Sequence, residues 1–208
     1  MIFRLATVSL AVLFCVASIQ ARADWQGKMT MKFKMAPAPV VGKVSAKGDL
    51  MRVDVDTSTQ SVSALIDFKT QRVTMLMHQN KAIMQTGIDL ARFGACSSRE
   101  VDDCLAKRGF KATGNETVNG HPCKIYESDT PFGGKQTHQK FWRPTDLNEV
   151  AFVRTTTASA LENTEIDVTD IQTVSLPDST FQAPGDYVPF KPVPPAATRP
   201  SGIPSPGP

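Results

Sequence analysis

Lys28-Met-Thr-Met-Lys-Phe-Lys-Met35 alternates a polar or charged residue with an apolar one at every step. Side chains in an extended strand point to opposite faces with a period of two. Met29, Met31, Phe33 and Met35 therefore share one face, and Lys28, Thr30, Lys32 and Lys34 the other. Trp25 joins the apolar face by the same parity. A helix would scatter these residues around its circumference, so the segment reads as a strand with one dry side.

The same signature recurs downstream. Met51, Val53 and Val55 alternate with Arg52, Asp54 and Asp56. Val62, Ala64, Ile66 and Phe68 alternate with Ser61, Ser63 and Asp67, with Leu65 out of pattern. Val73, Met75 and Met77 alternate with Arg72, Thr74 and His78, and here Leu76 is the exception. Turn-prone stretches separate the runs at Lys47-Gly48-Asp49, at 67–71 and at Gln79-Asn80-Lys81. Consecutive strands with short turns predict an antiparallel meander, wet on one face and buried on the other. Residues 88–110 depart from alternation: Leu90, Phe93, Val101, Leu105 and Phe110 fall at mixed helical spacings, with Ser97-Ser98-Arg99-Glu100 as a helix start. Asn119-Gly120 is a two-residue hairpin signal, Gly133-Gly134 marks another turn, and further strands are expected near 136–142, 150–157 and 165–174. A helical turn is expected over 159–162. The inventory is about ten strands and two or three short helices.

The ends of the chain read differently. Arg4, the apolar run from Leu5 to Ile19 and Ala21-Arg22-Ala23 follow the order of a secretory signal cleaved before Asp24. The apolar run is shorter than the roughly 20 residues of a membrane span. Cys15 follows Leu13 and Phe14, which does not suit lipoprotein processing, and leaves with the signal. Residues 189–208 hold eight of the fifteen prolines and only Lys191 and Arg199 as charges, so they suit an extended polyproline-like tail. Residues 24–188 make one domain of ample size for a core. Without Arg4 and Arg22 the chain's net charge falls from +3 to +1, which gives no basis for a nucleic-acid partner.

Chemistry-bearing residues are sparse. Cys96, Cys104 and Cys123 remain after signal removal, and an oxidising compartment favours a disulfide. Cys96 and Cys104 bracket part of the helical segment and close a short loop, so that pair is favoured; a bond from either to Cys123 competes. His78, His121 and His138 show no metal-ligand spacing, no nucleophile elbow or phosphate-cradling loop appears, and Asp54 and Asp56 read as solvated surface. No catalytic residue, metal or cofactor is expected. All seven methionines after Met1 lie between Met29 and Met84. They read as an ordinary core rich in methionine, as an adaptable apolar surface for acyl chains or changing partners, or as thioethers gathering Cu(I).

The stretch GNETVNGHPCKIYE at 114–127, followed by Phe141-Trp142-Arg143-Pro144-Thr145-Asp146-Leu147, resembles a family of uncharacterised bacterial envelope proteins in the superfamily of the periplasmic lipoprotein carrier LolA. Residues 66–77 and the ending Leu176-Pro177-Asp178-Ser179-Thr180-Phe181-Gln182-Ala183-Pro184 fit the same likeness. The resemblance implies a mainly β fold: a curved antiparallel sheet forming an open half-barrel, its apolar face covered by a short helical lid at 88–110. On that picture Trp25, Met29, Met31, Phe33, Met51, Val53, Met75, Met77 and Phe93 line a cavity for a lipid or an acylated protein. The expected role is non-enzymatic binding of a hydrophobic ligand in the periplasm. The alternatives are an interaction module of the cell envelope, reaching the peptidoglycan or an envelope protein through its proline tail, and a Cu(I) protein. Arg92 has no matching motif for the arginine with which the carrier holds its lid, so the carrier's own activity does not transfer.

Overall fold

The computed structural model describes residues 23–36, 38–87, 96, 101–132, 135–159 and 163–190. In chain order the strands are β1 (Asp24–Phe33), β2 (Val40–Lys47), β3 (Leu50–Asp56), β4 (Ser61–Asp67), β5 (Arg72–Met77) and β6 (Ala82–Gly87). Helix α1 (Val101–Lys107) follows, then β7 (Lys111–Val118), β8 (His121–Phe132), β9 (Lys135–Pro144), β10 (Arg154–Ser159) and β11 (Asn163–Val174). A 3₁₀ turn (Asp178–Phe181) and β12 (Val188–Pro189) complete the described chain. All twelve strands form one sheet in the order β12-β6-β5-β4-β3-β2-β1-β11-β10-β9-β8-β7. Every pairing is antiparallel except β12 on β6. One open antiparallel sheet of this kind agrees with the mainly β fold expected above.

The turns form where the local chemistry demands them. Gly48 supplies φ of 58° between β2 and β3. Between β4 and β5 the Asp67 carboxylate accepts from the backbone N–H groups of Lys69 (2.9 Å) and Thr70 (3.0 Å), and Gln71 follows at φ 54°. Asn119 and Gly120 both take positive φ, 54° and 85°, as a type I′ hairpin requires. Sequence reasoning differs from the structure at some strands. The first strand ends at Phe33; Met35 lies in the turn beyond it, 89% exposed, and not on the apolar face. Alternation does not single out β2, β6 and β12, because Gly42, Gln85 and Pro189 dilute the pattern; the described residues hold twelve strands where about ten were expected. The expected helix start at 97–100, the turn at 133–134 and all but Ser159 of the helical turn at 159–162 lie outside the described residues, as do 1–22 and 191–208; Ser159 itself ends β10.

Curvature is legible in one hydrogen bond. Asn119, at the tip of β7–β8, donates from Nδ2 to Val168 O of β11 at 3.2 Å. In the sheet, β9 and β10 lie between β8 and β11, so only strong coiling brings the two together. The main core joins Trp25, Met29, Val44 and Met51 of the first strands to Val118, Ile125 and Trp142 of the last, closed by Val150 and Val153. A second cluster sits under α1, where Val101 and Leu105 pack with Phe110, Tyr126 and Phe141.

Candidate functional site

Strand register assembles one apolar face across β1–β6. Trp25, Ala46, Met51, Ile66 and Val73 align in one row, and Val44, Val53, Ala64, Met75 and Met84 in the next. Met29, Gly42, Val55, Val62, Met77 and Ala82 make a third. At Gly42 a methyl group would collide with Asp54 O, so glycine is what lets β2 approach β3 so closely. Burial falls along this face. Trp25, Met29 and Met51 are buried in the core, and the Trp25 indole donates to Glu149 O at 3.0 Å. Met31 and Val53 are half-buried against that core; Met75 and Met77, on β5, are half-buried away from it, while Phe33 is 38% and Met84 44% exposed. The structure therefore brings eight of the expected lining residues onto one face: three belong to the packed interior and five to the open part. Phe93 lies outside the described residues, as does Arg92.

The methionines do not converge as a set. Three strands separate β1 from β5, about 19 Å along the sheet at roughly 4.8 Å per strand, so Met29 and Met31 sit apart from Met75 and Met77. Cross-strand pairing instead sets Met84 opposite Met75. Among the described residues no three His, Cys, Asp or Glu side chains gather as a metal site.

Helix α1 is fastened at two points. A disulfide joins Cys96 to Cys104, leaving Cys123 as a buried free thiol, and this settles the pairing. Such bonds persist in oxidising, extracytoplasmic compartments. The Tyr126 hydroxyl donates to Asp102 Oδ1 at 2.6 Å. Burial first, then that carboxylate, pushes the phenol above its ordinary range. Burial likewise pushes the Cys123 thiol up, which keeps it protonated and inert.

The opposite face is polar and is crossed by a C-terminal strap, residues 176–190, that alternation did not reveal. Lys47 donates to Leu176 O at 2.7 Å and meets Asp178 at 2.9 Å; the Asp178 hydrogen bond holds the lysine above its usual range. Arg52 Nη1 donates to Thr180 O at 3.0 Å. Lys81 binds Asp186 at 2.7 Å, raising its own pKa and lowering that of the acid. Val188 N–H and Phe190 N–H then donate to Lys81 O and Ile83 O, so the chain stays anchored just past the expected boundary at 188. Leu65 and Leu76, the two residues out of pattern, face this side and are buried. They were the signal that this face also has a cover.

Asp54, read from the sequence as solvated, is half-buried in a network on this face. Its Oδ1 accepts from Arg52 Nε (2.7 Å) and Ser63 Oγ (2.5 Å). Ser63 has one proton, given to Asp54, so His78 Nε2 donates to Ser63 Oγ at 2.7 Å and His78 Nδ1 accepts from the Tyr187 hydroxyl at 2.5 Å. Ser63 is fully buried with its proton committed, so this serine and histidine fasten the strap and present no nucleophile. Beside them opens a cleft of about 740 Å³, lined in part by Lys28, Lys43, Arg52, Asp54, Asp56 and Asp170.

Comparison with known proteins gives a family and a fold. The family described as "Domain of unknown function (DUF4412)" matches residues 25–163. No curated protein matches the chain. Similar solved structures include an uncharacterized conserved protein from Thermus thermophilus, with TM-score 0.54 and 11% identity over 80% of this chain and 90% of that one. MucB gives TM-score 0.48 and 12% identity over 79% of this chain and 58% of that one. A DUF1329 family protein from Desulfovibrio piger gives 0.43 and 11% over 79% and 91%. At 11% identity the likeness to the Thermus protein speaks to fold alone, and nothing is argued from the other two.

Proposed function

Because the chain belongs to the DUF4412 family, whose description assigns no activity, we propose from its own surfaces that it is a non-enzymatic periplasmic binder of a hydrophobic ligand, a lipid or an acylated protein. One observation carries the reading: the apolar face of β1–β6 is continuous in register, yet its outer part is left incompletely buried at Met31, Phe33, Val53, Met75, Met77 and Met84. Unbranched thioethers adapt their shape to a guest, which suits acyl chains of varied length. Trp25, Met29 and Met51 act as the rigid floor beneath it. The ligand is held by area and shape, and no chemical step is required of the protein.

The test is native mass spectrometry of the chain from Asp24 onward, with lipid extraction and displacement of a fluorescent fatty acid. A co-purifying lipid and saturable displacement are expected. A Met75→Glu/Met77→Glu variant puts charge on the face and weakens displacement at least about tenfold, equivalent to about 1.4 kcal/mol. A protein that carries no lipid and binds no fatty acid sinks the proposal.

A second reading is an envelope interaction module acting through the proline-rich tail. The anchoring of Phe190 on β6 favours it, because the tail then leaves from a defined point on the sheet edge. Truncation after Phe190 separates the two: loss of envelope-protein capture with fatty-acid binding intact supports the module, and unchanged capture removes it.

A further inference from the structure

The polar face of β1–β3 holds two lysines that, among the described residues, make no ion pair. Register sets Lys28 directly opposite Lys43, an arrangement unfavourable between like charges. The other cross-strand neighbour of Lys43 is an acid, Asp54. That carboxylate is already engaged with Arg52 and Ser63. Neither lysine has a hydrogen-bond or ion-pair partner among the described residues. Both are exposed, and both line the cleft of about 740 Å³, a size that suits a small molecule. Two adjacent ammonium groups in a concavity select an anion.

Acids flank the pair and narrow the choice. Asp170 lines the cleft with φ of 53°, at the irregularity where β1 meets β11. A non-glycine residue in that region stores backbone strain, and such residues cluster at ligand sites. Asp56, which accepts from Ser61, stands on the other side, and the amides of Gln26 and Gln172 also line the cleft. A bare anion is disfavoured by these carboxylates. One that carries its own hydrogen-bond donors is welcomed by them.

We propose that this cleft binds a phosphate ester whose alcohol part bears hydroxyl or amine donors. Lys28 and Lys43 take the phosphate, and Asp170 with the glutamine amides takes the donors. Phosphate is compact and carries more than one charge, matching two point-charge ammonium groups. The cleft lies on the face opposite the apolar surface, so the two sites are separate and the fate of one does not decide the other. The ester is either a free metabolite or a phospholipid headgroup, since both present the same chemistry.

The experiment titrates the chain from Asp24 onward with inorganic phosphate and with glycerol 3-phosphate, followed by calorimetry and amide chemical shifts. Sedimentation with phosphatidylglycerol and phosphatidylcholine vesicles runs beside it. Glycerol 3-phosphate is expected to bind about tenfold more tightly than inorganic phosphate, and both weaken as salt rises from about 20 to about 200 mM. Lys28→Gln/Lys43→Gln removes binding while leaving the thermal midpoint equal or higher without ligand, because it deletes a like-charge pair. Asp170→Asn weakens glycerol 3-phosphate and leaves inorganic phosphate equal or tighter, because it removes a charge that repels the bare anion. Binding of the soluble ester alone assigns a free ligand, and binding to phosphatidylglycerol vesicles alone assigns a headgroup; each supports the site. No saturable binding to any probe, or binding unchanged in the double variant, overturns it.

Discussion

The two faces of the sheet across β3–β6 are both partly dry, for opposite reasons. On one face the apolar residues follow strict alternation, and the outer ones, Met75, Met77 and Met84, stay partly exposed. On the other face the strand residues are mostly polar, yet Leu65 and Leu76 are buried, Leu76 completely. A segment more than a hundred residues away in sequence crosses that face, fastened through Lys47, Arg52, His78 and Lys81. A face that looks made for burial is thus left open, and a face that looks made for water is closed. Openness on the methionine side is what the proposed binder needs; closure on the other side keeps the two out-of-pattern leucines from water.

Truncation gives the largest test of that contrast. A chain ending at Ser175 lacks the strap and exposes Leu65 and Leu76, a loss of about 3–6 kcal/mol at about 1.5–3 kcal/mol per leucine. Urea unfolding and binding of a hydrophobic dye measure it. A chain ending at Phe190 keeps the strap and should match the full protein. Equal stability of the two truncations breaks the comparison. Point substitution sharpens it: Leu76→Ala is expected to cost about 2–5 kcal/mol, and Met75→Ala on the open face about 1 kcal/mol. Equal costs would mean that both faces are packed alike.

Much of the architecture was legible because alternation is a local signal. The strand through Met29, Met31 and Phe33, the turns at Gly48, Gln71 and Asn119-Gly120, and the helix between Cys96 and Phe110 all follow from neighbours within a few residues. What escaped was set at a distance. The strap carries no period, since Pro177, Pro184, Gly185 and Pro189 punctuate it, and its sole trace in the strands is two leucines out of place. The network of Arg52, Asp54, Ser63, His78 and Tyr187 depends on which residues register and the strap juxtapose, so Asp54 looked solvated. The apolar site was legible as a set of side chains on one face, though which of them are floor and which are open surface depends on how the sheet coils.

Next in size is the disulfide, which fastens α1 over β8 and β9. Reduction, or a Cys96→Ser/Cys104→Ser variant, is expected to cost about 2–3 kcal/mol through the short loop it closes. The effect should fall on the α1 side and spare the strap. Hydrogen exchange locates it: faster exchange around Tyr126 and Phe141 with unchanged protection at Leu65 and Leu76 agrees, and uniform loss across the sheet does not.

The smallest expected effect concerns Asp67, whose turn joins the two strands that carry the contrast. Burial pushes its carboxyl up, but the N–H groups of Thr70 and Lys69 and the Thr70 hydroxyl outweigh that and leave it below the ordinary value. A lowered folded pKa means that the ionised form is favoured by folding. The contribution is therefore fully present above the unfolded value of about 3.9 and is lost as pH falls through the lower folded value. Asp67→Ala should be less stable than the parent at pH 7, and the gap should close as pH falls well below about 3.9, where both chains lack the charge. A gap that stays constant from neutral to acid pH would assign the loss to turn geometry alone. The Asp67→Asn variant then isolates charge from shape: asparagine keeps an acceptor for the Lys69 and Thr70 amides, so it should recover part of the neutral-pH loss and show no closing gap.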